Sequence, residues 1–229
     1  MKVTLSFEES ESQDISIMID ALRASTTITL ALNHFEKIIP CFSPEESFKL
    51  KENIGGIVAG ERNGKKIEGF DLGNSPTIIK DYETSEKILI LTTTNGTRAL
   101  EKIHCKALIG SMINAKAVAR KSCEIAKTHI ELVMGGVNGD FAIEDFLAAG
   151  EIIYEIKKIL KDCEVSEYAE SAVLASRDYE SLKEAFENSK SANILYNLGY
   201  ENDVELCCQK NISKNVAIYE NHEIKLIKD

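Results

Sequence analysis

The chain has 229 residues, 27 Lys and Arg against 37 Asp and Glu, a formal net charge of -10 and 44% hydrophobic residues. That length and apolar content suit one large α/β unit with a buried core, and the negative charge argues against a nucleic-acid partner, whose phosphates would be repelled. No apolar run approaches the roughly 20 residues that span a bilayer, and MKVTLSFEES at the start carries charge where a signal peptide needs apolar residues, so the sequence reads as cytoplasmic with no membrane partner.

The six cysteines (41, 105, 123, 163, 207 and 208) form no C-x-x-C pair, and the four histidines show no ligand spacing. A zinc centre and a disulfide framework are both unsupported, and the cysteines read mostly as reduced core thiols.

Taken in order, residues 3–7 alternate and residues 15–19 are nearly all apolar, the marks of two opening strands. Asp20 ends the second. Arg23 follows, then Ser25-Thr26-Thr27 and a helix through Ile28, Leu30, Ala31 and Leu32. A carboxylate at the carboxyl end of a buried strand stands where open α/β sheets place their chemistry, although Asp20 or Ser25 could equally be a helix cap. Residues 37–42 read as a strand, Pro44 opens a helix with Glu45 and Glu46 in its first turn, and residues 55–59 form another core strand. Residues 60–76, GERNGKKIEGFDLGNSP, combine four glycines with Glu61, Arg62, Glu68, Asp71, Asn74 and Ser75. A loop of that length is uncommon unless it is functional or disordered, and Ile67, Phe70 and Leu72 give it apolar anchors.

Residues 88–100, ILILTTTNGTRAL, hold a buried strand that ends in hydroxyls and Gly and opens into a helix. Backbone donors of Thr94, Asn95, Gly96 and Thr97, with the guanidinium fork of Arg98, then suit an oxyanion; a plain turn built on Asn-Gly explains the same residues without a ligand. Residues 107–109 are a short strand, Asn114 caps a helix to about residue 127, and residues 130–134 form the next strand. It leads into GGVNGDFAIEDF (135–146), where Glu144 and Asp145 open a long helix to residue 160. Acids in a first helical turn also arise for dipole reasons alone. Residues 161–209 are helical in pattern, a candidate subdomain without a linker to separate it, and residues 216–219 and 223–227 read as a closing hairpin.

Polar clusters thus stand at four strand ends, and three of the five arginines (23, 62 and 98, not 120 or 177) lie in them. Alternating strands and helices predict an α/β fold with a mostly parallel or mixed sheet, on one edge of which the clusters converge. Carboxylates without His or Cys suit a hard cation such as Mg²⁺. The P-loop, the dinucleotide fingerprint, the cysteinyl-phosphate spacing and the aspartyl-phosphate pair are all missing. What remains is a metal-positioned water attacking a phosphate held by Arg and backbone donors, or a non-catalytic oxyanion-binding protein.

Five motifs carry a resemblance to a known family: IDALRASTT (19–27), GERNGKKIEGFDLGNSP (60–76), TTTNGTRAL (92–100), SMINA (111–115) and AIEDFLAAG (142–150), with GYENDVELC (199–207) also fitting. They resemble the 2-phosphosulfolactate phosphatases. The resemblance implies a three-layer α/β/α fold, a homodimer, and a Mg²⁺-dependent phosphatase converting 2-phospho-3-sulfolactate to 3-sulfolactate and phosphate, as in coenzyme M biosynthesis; another small phosphorylated hydroxy acid is the alternative substrate. On this reading Asp20, Asp71 and Glu144 hold the metal and carry the chemistry, with Glu61 as a further ligand and Asp145 as a ligand or proton-transfer group. Arg23, Arg98 and the turn from Thr94 through Asn95 and Gly96 to Thr97 would hold the phosphate, and Arg62, Asn74 or Ser75 the other anionic groups. The assignment requires Asp20, Asp71 and Arg98 to face one place.

Overall fold

A computed structural model describes residues 1–227. The apolar run ISIMI forms β2 (Ile15–Ile19), buried at every position. Side chains alternate along a strand, so Ile17 and Ile19 enter one core while Met18 enters another. Before and beside β2 lie β1 (Lys2–Phe7) and, after it, α1 (Ala24–Ala31), β3 (Lys37–Cys41), α2 (Pro44–Ile54), β4 (Ile57–Arg62), β5 (Lys65–Lys66) and α3 (Pro76–Lys80). The central stretch gives β6 (Ile88–Thr92) and α4 (Gly96–Glu101), followed by β7 (Lys106–Gly110), α5 (Ala115–Ile125), β8 (His129–Met134) and α6 (Ile143–Ile159). The remainder supplies β9 (Glu164–Val165), α7 (Glu167–Ala175), α8 (Tyr179–Glu187), α9 (Lys190–Tyr196), α10 (Glu201–Cys208) and the hairpin β10 (Ala217–Glu220) and β11 (Glu223–Leu226).

The strands join in the order β5-β4-β6-β3-β11-β10-β7-β2-β8-β1-β9. Two parallel blocks, β4-β6-β3 and β7-β2-β8-β1-β9, are separated by the C-terminal hairpin, which is antiparallel to both. The hairpin expected at the end of the chain therefore sits mid-sheet, with Ala217 and Ile224 fully buried. The two blocks consequently run with opposite polarity, and one parallel edge does not gather the site. Strand twist of roughly 20–25° per step accumulates across the intervening strands, and the blocks share one core, where Met18, Ile109 and Val133 meet Ile38, Leu89 and Leu91. The residues that follow β2 and β6 nonetheless meet, a Cβ on Gly96 lying within 2.9 Å of Asp20 Oδ2.

Helices cover both faces of the β2 block, as the α/β expectation requires. One face packs against α5 and α6, the other against α1 and α4. Helix α1 is buried at all eight positions despite its hydroxyl-rich sequence ASTTITLA, and Thr29 turns its hydroxyl back onto the Ser25 carbonyl. Helix α2 opens at Pro44 as its sequence predicts, and the structure adds a cap: Ser43 Oγ accepts from Glu46 N, and Glu46 accepts from Phe42 N. Helices α7 to α10 share the core of α6 through Ala172, Phe186, Leu195 and Val204. The segment 161–209 is not wholly helical, because Glu164 and Val165 pair with β1 at the sheet edge. All six cysteines are free, and no helix among the described residues is long and apolar enough to cross a membrane.

The α6–α7 contact depends on Gly150, where an added Cβ would lie 2.0 Å from the Ala172 carbonyl oxygen. Backbone cannot yield as a side-chain tip can. Gly150→Ala should therefore destabilise the fold by about 1–3 kcal/mol or more, read as a lower urea midpoint; an unchanged midpoint contradicts this packing.

Candidate functional site

The site begins where β2 ends. Asp20 Oδ1 accepts from Ala24 N at the start of α1 (3.1 Å), and the carboxylate also accepts from Gly96 N at the start of α4. Gly96 is required by that approach, since a Cβ there would lie 2.7 Å from Ala24 Cβ and 2.9 Å from Asp20 Oδ2. Asp20 thus does act as a cap, in addition to any chemistry. Glu61, on the last turn of β4, reaches the same place: its Oε1 accepts from Thr94 N (2.7 Å) and its Oε2 from Gly64 N (2.8 Å).

Two further acids stand behind Asp20 on the first turn of α6. Asp145 accepts from Ala21 N (2.7 Å) and Gly136 N (2.9 Å), so it ties the turn after β2 to the turn after β8. Glu144 is held by the hydroxyls of Ser189 and Ser191. Asp20, Glu61, Glu144 and Asp145 are all buried. Burial pushes the Asp20 carboxyl up to about 7, and the neighbouring charges of Glu61 and Glu144 add to the shift against the bonds from Ala24 and Gly96. Burial also raises Glu144, and burial together with Asp20 and Glu144 raises Asp145 well above the usual carboxylate range.

Arg23 is the cation of this region. It is buried, pairs with Asp203 of α10 (2.7 Å), donates to the Gly64 carbonyl (2.9 Å) and lies 4.5 Å from the centre of the Tyr200 ring. The other oxygen of Asp203 accepts from the Ser75 hydroxyl (2.7 Å), whose oxygen in turn caps α3. A cleft opens between these elements, walled in part by Asp20, Arg23, Glu61, Asn74, Thr94 and Asn95. Two buried acceptors in it, Asn74 Oδ1 and Thr94 Oγ1, have no hydrogen-bond partner among the described residues.

Asp20, Glu61, Arg23, Asn74, Thr94 and Asn95 thus converge as the sequence suggests, with Glu144 and Asp145 immediately behind. Asp71 does not. It sits at the opposite end of β4, bonded to Val58 N (2.8 Å) and paired with Lys51 (2.7 Å), because the loop from residue 67 doubles back along the strand. Arg62 points away and spends its donors on the Glu61 and Phe42 carbonyls. Ser75 is committed to Asp203. Arg98 is exposed and lines an adjoining recess, on the other side of Asn95 and Asn138 from the cleft. The requirement that Asp20, Asp71 and Arg98 face one place is not met.

The turn from Thr94 to Thr97 also differs from expectation. Thr94 N is taken by Glu61, Gly96 N by Asp20 and Thr97 N by Thr93 Oγ1 (3.1 Å), so two of its donors already face carboxylates of the protein and a third is held by a hydroxyl. The sequence alone does not single out Asp203, Ser189 or Ser191. Asp203 lay within the GYENDVELC motif, whereas nothing in their spacing marked the two serines.

A carboxyl raised on folding stabilises the fold while protonated, fully so below its ordinary value of 3.8, and that contribution is lost as pH climbs through about 7. The melting temperature of metal-free wild type should therefore fall relative to Asp20→Asn between about pH 4 and about pH 7 and level off above that. A difference independent of pH contradicts the burial of an uncompensated charge.

Comparison with known proteins gives the family. The model of the 2-phosphosulpholactate phosphatase family matches residues 3–222. The 2-phosphosulfolactate phosphatase of Methanothermobacter thermautotrophicus is 45% identical over 229 residues, covering 100% of this chain and 97% of that protein. A probable 2-phosphosulfolactate phosphatase of Clostridium perfringens is 39% identical over 96% of this chain and 91% of its own length. Another from Thermotoga maritima is 38% identical over 90% of this chain and 89% of its own. With motifs in order and a match across nearly its full length, the chain belongs to the 2-phosphosulfolactate phosphatase family.

Proposed function

We propose that the protein is a Mg²⁺-dependent phosphoric monoester hydrolase that converts 2-phospho-3-sulfolactate to 3-sulfolactate and phosphate at the Asp20–Glu61 cleft. The observation that carries the assignment is a pair of buried carboxylates from separate strand ends beside two unpartnered oxygen acceptors, Asn74 Oδ1 and Thr94 Oγ1. Among the described residues, no three His, Cys, Asp or Glu side chains form a ready metal cage. Mg²⁺ does not require one, because it keeps several waters and takes one or two carboxylates with substrate oxygens. All the donors here are hard oxygens, so the set fits. Asp20 and Glu61 would hold the ion, with Asn74 and Thr94 adjoining, and Glu144 would keep the surroundings negative.

When bound, Mg²⁺ supplies polarisation of the phosphoryl group and a more acidic water. Arg23 keeps N–H groups beyond the two engaged by Asp203 and Gly64, and these suit a phosphoryl oxygen. Its anchoring at Asp203, Gly64 and Tyr200 fixes the guanidinium before substrate arrives, which lowers the reorganisation that charge stabilisation would otherwise need. Asp145 is a positioning residue on this reading, since it ties the turns after β2 and β8 together behind the cleft and, unlike Asp20 and Glu61, is not part of the cleft wall. The same reading takes the enzyme as a cytoplasmic homodimer, an assembly that analytical sedimentation reads directly.

Phosphate release from a panel of phosphoesters, with and without EDTA, tests the assignment. Chelation should abolish release and Mg²⁺ should restore it. Asp20→Asn and Glu61→Gln should each lower kcat/KM at least about 100-fold, while Asp71→Asn stays near wild type. Tight binding of the esters without turnover would instead identify an oxyanion-binding protein.

A further inference from the structure

The chain has five arginines, and four are committed. Arg23 pairs with Asp203, Arg62 with backbone carbonyls, Arg120 with Glu124 and Arg177 with Glu151. Arg98 has no hydrogen bond or ion pair among the described residues. It lines a recess of about 350 Å³ with Lys102 and the glycine backbones at 135 and 139. Lys102 is shared by Glu8 (3.1 Å), which also lines the recess, and Glu9 (3.6 Å), so Arg98 is the cation of the recess that has no partner among the described residues. Asn95 and Asn138 form a wall common to this recess and the cleft, joined by a bond from Asn138 N to Asn95 Oδ1 (3.2 Å).

An unpaired guanidinium beside a phosphoester site suits a substrate with a second strong anion close to the phosphorylated carbon. We infer that Arg98 is a specificity-determining residue that binds the non-reacting sulfonate of the substrate across the Asn95–Asn138 wall. This rests on the phosphatase reading above and departs from the expectation that Arg98 grips phosphate. A guanidinium presents a fixed fork of donors and stays charged at any physiological pH, which matches a sulfonate that is likewise always ionised. Lys102 cannot serve equally, since its ammonium is already shared between two carboxylates.

Steady-state kinetics of wild type and Arg98→Gln on two substrates decides the matter: 2-phosphosulfolactate, and 2-phospholactate, which keeps the phosphate and carboxylate but lacks the sulfonate. Arg98 is exposed, and circular dichroism checks that the variant folds. Arg98→Gln should lower kcat/KM for 2-phosphosulfolactate by about 10- to 100-fold, chiefly through KM, as expected for losing a charge-assisted bond. For 2-phospholactate the two proteins should agree within about twofold on the same scale. Equal losses on both substrates would show that Arg98 serves the phosphate or the carboxylate, and no loss on either would leave it a solvated surface charge; both results overturn the assignment. A wild type that hydrolyses neither substrate overturns the phosphatase reading itself, and the assignment with it.

Discussion

Three buried carboxylates hold the working end of this protein together by accepting hydrogen bonds from backbone rather than from cations. Asp145 joins the turns after β2 and β8, Asp20 joins the first turns of α1 and α4, and Glu61 joins the β4–β5 turn to the turn after β6. Each bond to an ionised acceptor is stronger than a neutral one. The arrangement nonetheless concentrates like charge in a low-dielectric region, and the raised carboxyls of Asp20, Glu144 and Asp145 express that conflict. That excess of negative charge is what the proposed cation would relieve.

The C-terminal third completes the site from a distance in sequence. Asp203 reaches Arg23 across 180 residues and Ser75 across 128. The Arg23–Asp203 pair lies out of solvent, so its desolvation cost offsets much of its attraction, and its contribution is better understood as placement than as stability. Removing either partner alone would strand a buried charge. Ser189 and Ser191, at the start of α9, hold Glu144 in the same manner.

Much of the fold is legible in local pattern. The apolar runs ISIMI and ILILT announce β2 and β6, Ser43-Pro44 announces α2, and the residues around Asn221 announce a hairpin. Where that hairpin inserts is not local information, because its alternating residues fit any sheet with an open edge. Its place between β7 and β3 sets the opposed polarity of the two blocks, and nothing in the local pattern foretells that Asp20 and Glu61 then meet. Asp71 misleads for a related reason: a carboxylate in a glycine-rich loop looks like a ligand, yet the loop returns along β4 and delivers it to Lys51. Arg98 shares a motif with Thr94 but lies within α4 and lines the adjoining recess, whereas Thr94 precedes the helix and lines the cleft. Glu61 and Asn74 were recognisable as residue types, whereas Asp203 depended on a tertiary contact.

The claim on which the account rests is that Asp20 and Glu61 together form the cation site. The most direct measurement is anomalous diffraction from crystals of the full-length enzyme soaked in Mn²⁺, an oxygen-preferring cation with strong anomalous scattering. The account predicts a peak between the Asp20 and Glu61 carboxylates, lost in Asp20→Asn. A peak at Asp71, or none at the cleft under saturating Mn²⁺, would contradict it.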